Sequence, residues 1–364
     1  MILRNSQSLH LPRRQRGTVL IMAILVVTLV AGFAIKASRD YQLSMARAEA
    51  RWHGAQARAY LSGAESLAIY FLELDDNPDV DSKLEPWAME LPPFPIEGGV
   101  ILAEIEDASA KINLNDLSGN LDMEDGNPSD PDRFSSAQKH FLRLLQSFEE
   151  IYPLSQEDAI ALLEAIKDWT DSDDEITGFT GAETDYYQSQ DPAYRAANAP
   201  FTSKDELRLV RGFTPELMQL IKPYITVYET GGSGAGLNVN TINPFLLRTF
   251  NNSEVLQPLS PQVMGQVVSE NGEYATMQEF TENTGWGSAV SGELDTEYAR
   301  VTTDHFLVTT RVQLGEQRRS MQSVLSRADG DFKVESRRDV YDYILNLERA
   351  GMQAGQAEAI NNNE

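Results

Sequence analysis

The chain has no cysteine and only four histidines. The first absence excludes disulfides and thiolate metal sites, and is compatible with a location outside the cytoplasm without demanding one. The histidines His10, His53, His140 and His305 lie far apart and form no HExxH; there is no GxSxG and no P-loop either. Zinc hydrolysis, serine acyl transfer and nucleotide-driven chemistry therefore lack their motifs. Positive charge is also scarce: 30 Lys and Arg stand against 55 Asp and Glu, a net charge of −25. Nine of the basic residues fall within the first 60 positions, against Asp40 and Glu49, so that start carries about +7 and the remainder about −32. A basic start suits the anionic face of a membrane, while a strongly acidic body repels nucleic acid and favours cations or basic protein faces.

Against these absences stands one long apolar run. From Gly17 to Ile35 there is no charge, and Arg16 and Lys36 flank it, enough length for one helical membrane span. A secretory signal would end in small residues and a helix break. Here Ala, Leu and Met continue at roughly helical spacing to about Leu74 without a proline, with Gly32, Gly54 and Gly63 as pliable points. The run reads as the first half of one long helix whose second half is amphipathic. Uncleaved anchor, ordinary signal and leader cut before the apolar run all stay open on these features.

The polar, proline-rich stretch 75–99 then leads to VILAEIED, an alternation that predicts a strand, with AKINLND as its hairpin partner. GNLDMEDGNPSDPDRF is a turn-rich acidic linker containing Asp122, Glu124 and Asp125, and helical patterns follow it. Ser155 to Asp158 matches a capping box and marks a helix start. ETGGSGAG (229–236) has the composition of a flexible linker. HFLVTTRVQLG and RRSMQSVLSR alternate around a glycine turn, the pattern of an antiparallel hairpin. Strands at both ends with helices between predict an α+β chain with an all-α insertion at 120–232.

DWTDSDDEITGFTGAE is the stretch with chemical potential. Asp171, Asp173, Asp174 and Glu175 cluster beyond a helix, and Glu183 returns after two glycines. Carboxylate oxygens on a loop that can bend sharply suit calcium, which takes six to eight oxygen ligands. This is no EF-hand: counting from Asp171, the sixth residue is Ile176 and the twelfth Ala182. A solvated acidic loop is the plainer reading of the same residues. Trp169, Tyr186 and Tyr187 read as its supporting core or as a partner contact.

The basic leader ending in Gly17, followed by Thr18 and a purely apolar run, resembles the class III signal of type IV pilin-like proteins. The segments KINLNDLSG (111–119), DWTDSDDEITGFTGAETDYY (168–187), AYRAANAPFTSKDELRLVRGFTPELMQLIKPYITV (193–227) and LNVNTINPFLLRTF (237–250) resemble the K-type minor pseudopilins of the type II secretion system. The resemblance implies cleavage after Gly17 by prepilin peptidase and methylation of Thr18. It implies a long N-terminal helix packed on a pilin-like antiparallel sheet, with a large all-α domain inserted between strands. Its division of the chain is 1–17 leader, 18–36 transmembrane segment, 37–119 first part of the pilin-like domain, 120–232 inserted domain and 233–327 second part; the tail 328–364 has no place in the family pattern. It further implies structural calcium, with Asp171, Asp173 and Glu183 as ligands and Asp174 and Asp185 as substitutes. Counting from Thr18, the fifth mature position is Met22, where most of the family carry glutamate. A subunit without that acid fits best at a filament end.

The implied function is non-enzymatic: capping the tip of a periplasmic pseudopilus and initiating its assembly, from a single-pass anchor in the inner membrane. The implied partners are other minor pseudopilins, the major pseudopilin and prepilin peptidase. The alternative is a membrane-anchored periplasmic calcium-dependent enzyme or binding protein. Two segments, 201–221 and 237–250, are similar to helix-hairpin-helix units, but the negative charge around them argues against DNA and for protein packing.

Overall fold

In the computed structural model the described residues are 15–340, apart from 76, 90, 120, 122–126, 230–235, 270–271, 316 and 329. The acidic triplet Asp122, Glu124 and Asp125, most of the glycine-rich linker, His10, the first fourteen leader residues and the tail beyond 340 lie outside them. The chain divides into two compact units, one ending at Ala59 and one beginning at Tyr60.

Helix α1 runs from Gln15 to Leu72. In the first unit it carries the apolar run, with Val19, Ile21, Met22, Leu25 and Phe33 all exposed. The segment is long and apolar enough to cross a membrane, with a mean hydropathy of 2.8 over its best window.

In the second unit the last turns of α1 bury Leu61, Ala64, Ala68 and Leu72, spaced at i, i+3, i+7 and i+11. Ala68 and Leu72 pack with Trp87, Ile105, Phe306, Val308 and Leu325. Those last four side chains come from one face of an antiparallel sheet whose order is β1 (Phe94–Ile96), β2 (Gly99–Asp107), β7 (His305–Leu314), β8 (Gln317–Ala328), β9 (Asp331–Asp339). The register opposes Ile105 to Val308 and Phe306 to Leu325, which puts them on a common face. Gly99 lets β2 close on β7: a Cβ there would meet the Gln313 carbonyl oxygen at 1.8 Å.

The expected hairpin between β7 and β8 forms, turning at Gly315 with φ 52°. The expected pairing of VILAEIED with AKINLND does not. The hairpin partner of β2 is β1, drawn from the proline-rich connection, across a turn with Gly98 at φ 76°. After β2 the Asp107 carboxylate accepts from Ser109 N–H and starts a 3-10 turn, so the chain leaves the sheet. The following strand β3 (Ile112–Asn113) instead pairs in parallel with β4 (Ile225–Thr226). A second short parallel pair joins β5 (Leu237–Asn238) to β6 (Ala299–Arg300).

Between β2 and β7 most of the buried apolar side chains among the described residues share one hydrophobic core, from Ile112 through Phe141, Leu163, Tyr187 and Leu217 to Phe250, Phe280 and Tyr298. The expected boundary at 232/233 is therefore displaced: 237–301 packs into the helical core and the sheet resumes only at His305. Its apolar positions, including Leu246, Phe250, Phe280 and Trp286, find their burial against α2 (Ser136–Gln146) and its neighbours. Arg143 of α2 is fully buried and donates to the carbonyls of Thr249, Asn252 and Val255, tying that segment down. His140 is a core histidine, its Nδ1 2.7 Å from Thr249 Oγ1 and its ring against Phe250. The boundary at 327/328 moves too, because β9 supplies a fifth strand from what the sequence suggests is only tail.

Candidate metal centre

The acidic loop hangs from α3 (Gln156–Thr170). That helix starts at the capping box of Ser155 and Asp158, as expected. It ends where Asp171 turns extended at ψ 172°, and the loop returns at Glu183, the residue before α4 (Thr184–Gln188). Two glycines bring the loop onto the helix. At Gly178 (φ 63°) a Cβ would meet Glu164 Oε1 at 1.9 Å, and at Gly181 one would meet Asp168 Oδ2 at 2.1 Å. Glu164 accepts from Thr180 N–H (3.0 Å) and Arg133 (3.2 Å), and Asp168 Oδ1 accepts from Thr177 N–H (2.9 Å). Below the loop Trp169 meets Tyr187 edge-on with centroids 5.2 Å apart, and Arg211 covers the Tyr186 ring at 4.9 Å. The aromatic residues thus form a support, as the first of their two sequence readings has it.

Asp171, Asp173 and Glu183 come together, each offering a carboxylate oxygen within 4.8 Å of the others. Asp174 and Asp185, the expected substitutes, are exposed and outside this group. The group has unmet demand. Among the described residues Asp171 Oδ1, both oxygens of Glu183 and Oδ2 of Asp168 are buried without a hydrogen-bond partner. Lys167 Nζ, 3.5 Å from Asp171, is the nearby cation. Burial, with the charges of Asp168 and Asp171 behind it, pushes Glu183 up to about 7. Burial also pushes Asp168 up to about 6 and raises Asp171. Buried carboxylates in this state gain from a cation that supplies the missing contacts. The donor set is all hard oxygen, which suits calcium and not a thiolate-seeking metal.

Asp168 was not among the expected ligands. Its signal is the spacing of Glu164, Asp168 and Asp171 at i, i+4 and i+7, which puts two carboxylates on one face of α3 and the third at the residue that ends it. Another acidic group, Asp75, Asp81 and Glu85, also brings its oxygens within 4.8 Å. It already holds a cation: Arg327 donates to Asp81 and lies 3.4 Å from Asp75, while Glu85 accepts from Ser82 N–H and Trp87 Nε1 at 2.6 Å each.

A protein 30% identical over 342 residues, covering 89% of this chain and 96% of its own length, is the type II secretion system protein K of Klebsiella pneumoniae. The chain belongs to that family. The protein K of Pseudomonas aeruginosa is 31% identical over 341 residues, 89% of this chain and 93% of its own. That of Aeromonas hydrophila is 32% identical over 235 residues, 64% and 69%. The family model for type II secretion system (T2SS), protein K, matches residues 110–230, which include the acidic loop. The fold matches a chain in the crystal structure of the GspK–GspI–GspJ complex from enterotoxigenic Escherichia coli, with a TM-score of 0.64, 21% identity, and 81% of this chain and 100% of that one covered. The protein K chain described here is a minor pseudopilin of type II secretion.

Proposed function

We propose that this pseudopilin caps the tip of the periplasmic pseudopilus and starts its assembly, as a non-enzymatic subunit anchored in the inner membrane by the apolar part of α1. The observation that carries this reading is the insertion of the whole helical core between β2 and β7. A subunit with that bulk obstructs a neighbour stacked above it and meets only solvent at the end. Met22 supports the same position. An acid in hydrocarbon is costly without a positive partner, and a subunit with methionine there needs no earlier subunit to satisfy it. The amine of Thr18, freed by cleavage after Gly17 and methylated, would serve the next subunit's acid.

The assembly partners are two other minor pseudopilins, by analogy with the complex of GspK with GspI and GspJ, and then the major pseudopilin. Calcium bound by Asp171, Asp173 and Glu183, with Asp168 behind them, would neutralise the buried carboxylates and hold the loop on α3. Its role is structural. Site-specific crosslinking from the helical domain tests the position. The expected products are one-to-one adducts with minor pseudopilins; regular adducts along the filament shaft, or homopolymers of this chain, would overturn it. Met22→Glu is expected never to improve assembly.

A further inference from the structure

Basic side chains are scarce in the acidic body of this chain, yet four of them converge where the sheet meets the helical part. The parallel register of Ile112 with Ile225 sets Lys111 alongside the turn that carries Lys222. Lys204 opens the 3-10 turn Lys204–Leu209, and its Nζ donates to the Lys222 carbonyl at 3.4 Å. Arg338, on β9, donates to Ser203 Oγ at 3.3 Å and to Gln322 Oε1 at 3.0 Å.

Two carboxylates answer these four cations: Asp205, 2.9 Å from Lys222, and Glu106, which pairs with Lys111. Lys204 has no carboxylate within ion-pair distance among the described residues. Burial, then the charges of Lys111 and Lys222, lower its pKa to about 8. The Lys222 side chain is 48% exposed, so the cluster opens to solvent.

An excess of cations held close together costs electrostatic energy that an incoming carboxylate relieves. We propose that this seam is a docking site for an acidic segment of a partner protein, with Lys204 and Lys222 receiving its carboxylates and Arg338 beside them. Charge complementarity selects the occupant. A nucleic acid is an extended polyanion and would have to run over the rest of a chain of net charge −25, whereas one or two carboxylates fit a compact patch. The proposal depends on neither the calcium site nor the tip position.

The test uses the full chain purified in detergent and a fluorescein-labelled hexaglutamate peptide, with binding read by anisotropy at low salt. Lys204→Gln and Lys222→Gln are each expected to weaken binding about tenfold, the loss of one charge-assisted contact. Lys204→Arg is expected to retain it. Lys333→Gln, about 16 Å along β9 from Arg338, is expected to leave it unchanged, and all four variants should melt with the parent. Equal losses in Lys204→Gln and Lys333→Gln would overturn the proposal. So would no peptide binding by the parent, or tighter binding of an oligonucleotide of matched charge.

Discussion

Arg337 clamps Glu65 with its Nη2 2.7 Å from Oε1 and its Nε 2.9 Å from Oε2, joining the last strand of the sheet to α1. Burial alone would raise the Glu65 pKa, but hydrogen bonds from Arg337 and Ser323 and the Arg337 charge outweigh it and hold the carboxyl below its usual value. Arg337→Leu leaves Glu65 buried without its cation and is expected to cost about 2 kcal/mol, less than a fully buried pair because Arg337 is partly exposed. Urea unfolding checks this. Glu65→Leu combined with Arg337→Leu should recover much of the loss; a double variant as weak as the sum of the singles would show no coupling between α1 and β9.

Calcium should raise the melting temperature by mass action. At a hundredfold excess over Kd the gain is about 2.7 kcal/mol, or several degrees. Asp173→Ala should shrink the gap between chelated and calcium-loaded samples. Identical melting curves with and without calcium would return the loop to the plainer reading of a solvated acidic loop.

Gly181→Ala probes the loop's seat. The new Cβ would lie 2.1 Å from Asp168 Oδ2 and 2.6 Å from the Thr177 carbonyl oxygen, too close without movement of the loop. The calcium-dependent increment in melting temperature should fall, with the chelated protein far less affected. An alanine variant with the full increment would show that the loop need not touch Asp168.

The group around Arg327 gives stability a pH dependence. Burial pushes Asp81 up to about 6 despite Arg327, and Glu85 up to about 7. Both folded values exceed those of the unfolded chain, so the folded state holds these protons more tightly. Their contribution is present at about pH 4 and is lost as pH rises through 6 to 7. Glu85→Gln, neutral throughout, should flatten that fall relative to the parent. Parallel stability curves for parent and variant would rule out a protonated Glu85 in the fold.

Processing is tested at Gly17. Gly17→Leu should block cleavage, leaving residues 1–17 attached and Thr18 unmethylated in the intact mass of the membrane-extracted protein. Export should fail with it. A normal mass and normal export in that variant would remove the processing proposal.

Features carried by neighbouring residues were legible in the sequence. The apolar run of α1, the capping box of Ser155 and Asp158 and the β7–β8 hairpin each depend on spacing along a short stretch, where local periodicity and turn chemistry decide, whereas the choice of Asp171, Asp173 and Glu183 within the acidic loop rests on the family resemblance. Tertiary structure decided the rest. Two-residue strands such as β3 carry too little pattern to name a partner more than a hundred positions away. The apolar positions of 237–301 suit either core, and only the tertiary fold assigns them to the helical one, in the same cluster as Phe141 and Leu163. β9 looks like polar tail because its charged residues are matched by distant ones, Arg337 by Glu65 and Arg338 by Gln322. Side-chain periodicity is local, whereas burial and charge pairing are satisfied by whatever the chain brings near, so the long-range partners were set only by the folded arrangement.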